Sequence, residues 1–466
     1  MSTVSASPLF DAPLLRKLGR PGPRYTSYPT ADRFDPQFGY HDYLAAVAAR
    51  RTLRSGQPLS LYVHIPFCAS ICYYCACNKV VTQNADKAAV YLAYLKREIT
   101  MQATLFGGMN RVDQLHLGGG TPTYLSDEQM EELMAHLRRH FQFAPDAAGE
   151  YGIEVDPRTV TVARIASLRR QGFNRLSLGV QDYDEQVQRA VNRVQPEAQT
   201  QAIIDAARAN GYRSVNIDLI YGLPLQTMET MAQTLDKVIQ AGPDRIALYH
   251  YAHMPHLFKP QRMIVEADMP GADAKLAMLG LAIERLMAAG YVYIGMDHFA
   301  RPGDELAVAQ RQGRLHRNFQ GYSTHADADI VAFGVSAIGA VGATYSQNAK
   351  HLAAYYAGID GNQLPIERGI GLTMDDALRR ALIGRLMCHF ELSVSALEQA
   401  YPIVFADYFA AELDALRELQ ADGLVLVTPD WITVTPKGRL LIRNVCMVFD
   451  RYLAAPVATP RFSATV

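Results

Sequence analysis

A chain of 466 residues carries more sequence than one hydrophobic core usually organises, so two or more domains are expected. With 49% hydrophobic and 20% charged residues it has the makeup of an ordinary globular protein, which excludes disorder on a large scale. Forty-five Lys and Arg against 46 Asp and Glu leave a net charge of -1, so there is no basic footprint for nucleic acid and no steering toward an anionic membrane. Any anionic ligand has to be met by a local patch. The opening stretch MSTVSASPLFDAPLLRKLGR lacks the apolar run of a signal peptide, and no segment approaches the roughly 20 apolar residues of a bilayer span. A cytoplasmic monomer is the expectation.

Residues 1–56 include PGPRYTSYPTADRF, where each proline biases the residue before it away from helix, and an extended arm or lid is predicted. From LSLYVHI to about residue 370, short apolar strands alternate with helical stretches. The strands read are LSLYVHI, VDQLHLGGG, YGIEVD, RLSLGVQ, SVNIDLIYG, RIALYHYAH and YVYIGMDHF. This alternation marks βα units on a parallel sheet, and six to seven of them suit a partial or complete TIM-like barrel. Cys68, Gly118 to Thr121, Glu154, Gln181, Asp218 and His250 fall at or just past the C-terminal ends of these strands, the rim where parallel barrels build their chemistry. Singly, each is an ordinary cap or turn; in succession they outline a site. Residues 371–466 turn helical, with DDALRRALIGRLMC and DYFAAELDALRELQADG, then two short strands in GLVLVTPDWITVT and a final helix in KGRLLIRNVCMVFDRYL. Helices followed by a small hairpin have the outline of a winged helix, and the neutral charge assigns this one to packing rather than to DNA.

CASICYYCAC, residues 68–77, holds four of the six cysteines. Thiols clustered this closely point to a metal, because free cysteine is otherwise a small buried hydrophobe. Cys68, Cys72 and Cys75 form C-x3-C-x2-C, with Cys77 one residue further. Structural zinc prefers two separated pairs, and there is no second pair here. Three soft thiolates on one loop suit three corners of a 4Fe-4S cube, with the fourth iron open to chelate a small molecule through an amine and a carboxylate. Cys77 is not required as a ligand, so either a chemical role or pocket packing is open to it. Cys388 and Cys446 read as buried free thiols.

The residues also carry a resemblance. The C-x3-C-x2-C motif after a first barrel strand is the radical S-adenosylmethionine (radical SAM) signature. YVHIPFCASICYYCACNK, LGGGTPTYL, IEVDPR, LSLGVQD, VNIDLIYGLP, GMDHFARPGDELAVAQRQGRLHRNFQGY and KGRLLIRNVC together resemble the oxygen-independent coproporphyrinogen III oxidases, over about Tyr25 to Tyr452. The resemblance implies an α/β fold: a partial radical SAM barrel with an N-terminal arm (1–56), a catalytic barrel with extensions (57–370) and a mainly helical C-terminal domain (371–466). It also implies one 4Fe-4S cluster held by Cys68, Cys72 and Cys75, and two S-adenosylmethionine molecules. Tyr62, Gly119, Glu154 and Ile338 match contacts to the first; Tyr74, Gly120, Thr121, Gln181, Arg193, Asp218 and Ala252 match contacts to the second. Where the family shows C-G-C-N, this chain has Cys75-Ala76-Cys77-Asn78.

The substrate so implied, coproporphyrinogen III, bears four propionates and needs local cations. His298, Arg301, Arg311, Arg314, His316 and Arg317 lie within twenty residues, and arginine forks suit carboxylates. Arg311 and Arg317 are the favoured pair, with Lys79 and Arg24 as further candidates. The activity implied is radical abstraction of a propionate β-hydrogen, then loss of CO2 and one electron to leave a vinyl group, on two rings, giving protoporphyrinogen IX. It requires an electron donor for the cluster, an electron acceptor, and exclusion of water, for which the arm is suited. Cys77, where heme chaperones on the same scaffold place an aromatic residue, favours this enzyme over such a chaperone; a heme-modifying methyltransferase would be told apart by its products.

Overall fold

The computed structural model describes residues 9–453 except 55 and 327. The first eight residues, assigned above to the arm, and residues 454–466, assigned to the C-terminal domain, lie outside the described residues.

Six of the expected strands form a continuous parallel array: β1 Leu59–Ile65, β2 Arg111–Gly119, β3 Glu150–Val155, β4 Arg175–Gln181, β5 Ser214–Tyr221 and β6 Arg245–His250. Neighbours in sequence pair in parallel, with register shifts at Leu59/Ser60 and Gly179/Gln181, and β1 is buried along nearly its whole length, as expected of a strand covered on both faces. The crossovers are amphipathic helices with local start signals. Ser126 and Gln129 form a capping box on Asp127–His140, and Thr227 with Thr230 does so on Met228–Ala241.

The seventh predicted strand, YVYIGMDHF, is an antiparallel hairpin of β7 Val292–Gly295 and β8 His298–Ala300, with β8 pairing antiparallel to β6. Gly295 at φ 142 and Met296 at φ 52 reverse the chain there, which ends the parallel array. On the opposite edge, β9 Asp329–Phe333 pairs parallel to β1 and is followed by antiparallel β10 Ile338–Val341, β11 Thr344–Asn348 and β12 Ile366–Gly371. The sheet therefore stays open, with β7 and β12 as its edges. A small hairpin, His316–Asn318 with Gly321–Ser323, bridges across: Gln320 bonds Ser60 Oγ on β1 at 3.2 Å, and the Tyr322 ring stands edge-on to His298 of β8 at 5.3 Å.

The arm is less extended than predicted, since it contains the helices Ala12–Leu18 and Tyr40–Leu53 around its proline-rich stretch. That stretch lies against the C-terminal segment. Tyr25 donates to Asp450 at 3.0 Å, Arg443 to the Pro23 carbonyl at 2.9 Å, and Asn444 to the Leu18 carbonyl at 2.9 Å. The C-terminal elements are helices around a three-stranded sheet of β13 Glu391–Ser393, β14 Val425–Val427 and β15 Trp431–Val434, one strand more than predicted. The expected final helix breaks into Pro436–Arg439 and Ile442–Val448. Cys388 and Cys446 are buried and unpaired with each other.

Candidate functional site

The loop after β1 carries the cysteines to the C-terminal rim of the sheet, where Cys68, Cys72 and Cys75 line one cavity of about 250 Å³ with Cys77 and Lys79. Thr121 Oγ1 lies 3.6 Å from Cys68 Sγ, and burial pushes the Cys68 thiol up to about 11. Cys75 is held down at about 6, first by a hydrogen bond from the Cys77 thiol, while Cys77 itself is pushed well above its ordinary value, first by that bond and then by desolvation. Lys79 Nζ bonds the Cys75 and Cys77 carbonyls at 3.1 and 3.4 Å, fixing the end of the loop.

Among the described residues no three His, Cys, Asp or Glu side chains converge closely enough to hold a single ion. The three thiols instead share a cavity with open space between them, and Cys68 senses the charge of both others. Soft donors spaced around a volume fit a polynuclear iron-sulfur cluster, whose thiolates stand on different irons.

Behind Cys72 sits a buried ion triad. Asp156 accepts from Arg158 at 2.7 Å and from Arg193 at 3.2 Å, and each arginine also lies 3.5 Å from Cys72 Sγ. Burial alone would raise the Asp156 carboxyl, yet the two guanidinium groups hold it below its ordinary value. Arg193 further donates to the Gly179 carbonyl at 2.6 Å.

The glycine run ending β2 lets main chain approach these groups closely. A Cβ on Gly119, at φ 116, would stand 2.6 Å from the His64 ring, and one on Gly120 would stand 2.6 Å from the Pro66 carbonyl oxygen. The Gly119 N–H donates to Glu154 at 3.1 Å, and His116 lies 3.3 Å from the same carboxylate. Tyr62 stacks on His116 at 6.1 Å and meets His64 Nδ1 at 3.1 Å. Asp218 accepts from Asn216 at 2.8 Å and Ser177 at 3.2 Å; burial, then the charge of Glu154, raises it to about 6. Gln181, a non-glycine residue at φ 72, holds a sparsely populated backbone conformation at the cavity wall.

The two residue sets drawn from the sequence line two adjoining cavities, with Gly119 and Glu154 common to both. Tyr62, Gly119, Glu154 and Ile338 line a cavity of about 290 Å³. Tyr74, Gly120, Thr121, Gln181, Arg193 and Asp218 line the cysteine cavity. Ala252 lines neither, but its carbonyl and that of Tyr74 share the Gln261 amide, at 3.2 and 3.1 Å. Cys77, Gly119 and Glu154 border both cavities.

A third space of about 190 Å³ runs down inside the barrel from Glu154 and Asp218 past Tyr249, His298 and Tyr322. Arg24 of the arm stands over the Tyr249 ring at 5.8 Å and pairs with Asp297; Arg317 stands over Tyr322 at 4.8 Å. Arg317 is 9% exposed, and its Nε and Nη1 have no hydrogen-bond partner. Arg311 is exposed, donates to the Pro302 carbonyl at 3.0 Å, and borders none of these spaces. Asp156, Arg158, His64 and His116 were not singled out from the sequence. The first two stand in the quoted IEVDPR, where an acid and an arginine flanking a proline at a strand end were the available signal.

Residues 62–238 match the Radical SAM superfamily, and residues 372–441 match the HemN C-terminal domain. The oxygen-independent coproporphyrinogen III oxidase of Pseudomonas aeruginosa is 50% identical over 457 residues, covering 98% of this chain and 99% of its own. That of Escherichia coli strain K12 is 51% identical over 457 residues, covering 98% of each chain. The chain belongs to this family. The solved coproporphyrinogen III oxidase of Escherichia coli, described as a radical SAM enzyme, superposes with a TM-score of 0.91 at 51% identity, covering 95% of this chain and 99% of that one.

Proposed function

We propose that this chain catalyses the oxygen-independent oxidative decarboxylation of coproporphyrinogen III, converting two propionates to vinyl groups to give protoporphyrinogen IX. The observation that carries the reading is one rim joining three cluster-suited thiols to a chamber flanked by buried arginines, within a chain about half identical to enzymes of that name along its length. When bound, a 4Fe-4S cluster and S-adenosylmethionine would supply radical hydrogen-atom abstraction at a propionate β-carbon.

The chain's own part is positioning and charge. Cys68, Cys72 and Cys75 would hold the cluster, with Arg158 and Arg193 offsetting thiolate charge at Cys72. Tyr62, Gly119, Glu154 and Ile338 would line a first S-adenosylmethionine, and Tyr74, Gly120, Thr121, Gln181, Arg193 and Asp218 a second, with Ala252 behind it. Two adjoining cavities of about 290 and 250 Å³ support that count. Cys77, which borders both, would move a proton or hydrogen atom there. Arg317 and Arg24 would receive propionates at the chamber wall. The division into arm 1–56, barrel 57–370 and C-terminal domain 371–466, the cytoplasmic setting, the monomeric state and the external electron donor and acceptor belong to the same reading.

The test is anaerobic reconstitution with iron, sulfide, a reductant, S-adenosylmethionine and coproporphyrinogen III. Protoporphyrinogen IX with two CO2 per macrocycle is expected. Cleavage of S-adenosylmethionine with all four propionates retained would overturn the reading.

A further inference from the structure

We propose a second binding site for a carboxylate-bearing tetrapyrrole, outside the barrel chamber, between the helix Met374–His389 and the His316–Ser323 hairpin. The choice of ligand rests on the function proposed above. The cavity there measures about 570 Å³, larger than either cofactor cavity and within the range that holds sizeable organic ligands. Small residues make the room. Ala377, Ala381 and Gly384 follow one another along one face of the helix, and a Cβ built on Gly384, or on Gly342 across the cavity, would meet nothing within 4 Å. Aromatic rings supply flat walls, with Phe319 edge-on to Tyr345 at 5.5 Å and Tyr401 beyond the helix.

The rim of this space is cationic. Arg380 and Arg385 come from the helix, Arg314 and Arg317 from the hairpin and its approach. None of the four meets a carboxylate: Arg385 donates to the Gly313 carbonyl at 3.0 Å, Arg314 to the Gln312 side chain at 3.1 Å, and the mostly buried Arg317 leaves two nitrogens unpartnered. Among the described residues, Asp329 is the only carboxylate on the lining, and it is held by Arg50 at 3.0 Å and Arg54 at 2.9 Å. Arginines that meet no carboxylate among the described residues are open to an anion, and planar forks suit carboxylates. An apolar macrocycle with carboxylates around its edge satisfies both floor and rim. A small anion such as phosphate would satisfy the rim and leave the floor bare.

The site adjoins the chamber. Arg317 borders this cavity, and its guanidinium lies 4.8 Å from the ring of Tyr322, which lines the chamber. Arg317 and Tyr322 thus stand between the two spaces. Because the reaction reduces four carboxylates to two, such a rim holds substrate more tightly than product and favours loading over product retention.

The test is fluorescence titration of the full-length, cluster-loaded protein with coproporphyrin III, the oxidised tetracarboxylate, and with protoporphyrin IX. Two coproporphyrins per chain are expected. Arg380→Ala with Arg385→Ala should weaken one of them at least tenfold, and Ala381→Trp should remove it without changing charge, with iron content unaltered in both. Protoporphyrin IX should fill that site at least tenfold more weakly. One porphyrin per chain in the unaltered protein, two in both variants with affinities within twofold, or release of the second porphyrin by millimolar inorganic phosphate would each overturn the inference. Turnover of coproporphyrinogen III by the same preparation is scored separately, and its absence would fell the proposed function instead.

Discussion

The two sides of the barrel mouth manage charge in opposite ways. On the cofactor side the ions are matched internally: Asp156 lies between Arg158 and Arg193, and Glu154 is met by the Gly119 amide and His116. On the chamber side Arg24 pairs with Asp297, Arg317 meets no acid among the described residues, and Arg443, which donates to the Pro23 carbonyl, is pushed down to about 9, first by burial and then by Arg24. His298, between Arg24 and Arg317, is held neutral by burial and by those same charges. A self-neutralised pocket keeps its shape before a ligand such as S-adenosylmethionine, with an ammonium, a sulfonium and a carboxylate, enters it. A wall in which Arg317 has no acid beside it is held by the surrounding fold and gains stability when a carboxylate enters.

The largest effects separate the four clustered cysteines. Serine at Cys68, Cys72 or Cys75 should abolish both the iron-sulfur absorbance and turnover. Cys77→Ser should keep iron content while losing most conversion to protoporphyrinogen IX. Iron loss equal to that of Cys75→Ser would make Cys77 a ligand, and unchanged turnover would reduce it to lining.

Next comes the internal balance of the cofactor side. Asp156→Ala leaves two buried guanidinium groups facing each other, a class of change costing about 3–5 kcal/mol, measurable by denaturant unfolding. Arg317→Ala on the chamber side should do the reverse to stability, costing little, while raising KM for coproporphyrinogen III about tenfold, the ~1.4 kcal/mol of one charged contact. If Asp156→Ala were neutral and Arg317→Ala destabilising, the contrast drawn between the two sides would be wrong.

The smallest effect is a pH dependence. Asp218 titrates near 6 in the folded chain, above the ordinary aspartate range, so between that range and pH 6 the native state binds the extra proton and stability falls as pH rises through the window. Recognition of a cationic group by this carboxylate needs it ionised, so S-adenosylmethionine affinity should weaken as pH drops below about 6. Asp218→Asn should flatten that profile; an unchanged profile would place the titrating group elsewhere.

Much of the cofactor side was legible in the sequence, because its residues sit at strand ends or on one ten-residue loop. A strand's pattern fixes where it ends, and parallel strands bring all those ends to one rim, so Cys68, Gly119, Glu154 and Gln181 could be gathered without coordinates. The antiparallel strands after Asp329 escaped because they are short and joined by tight turns, with no helix between them to mark a unit. YVYIGMDHF misled because its apolar residues are those of a strand, while the reversal at Met296 depends on a backbone conformation that composition does not announce.

What the sequence determined by itself is the local chemistry: the thiol spacing, the glycine run and the order of the βα units. Only the tertiary structure decided the chamber wall. Arg24, Arg317 and Arg443 come from the arm, a bridging hairpin and the C-terminal segment, and nothing in their local sequence distinguishes them from Arg311, which is exposed. Whether an arginine is a solvated surface charge or a buried, carboxylate-seeking one depends on what packs around it. That packing is set by contacts such as Arg443 with the Pro23 carbonyl, made across more than four hundred residues of chain.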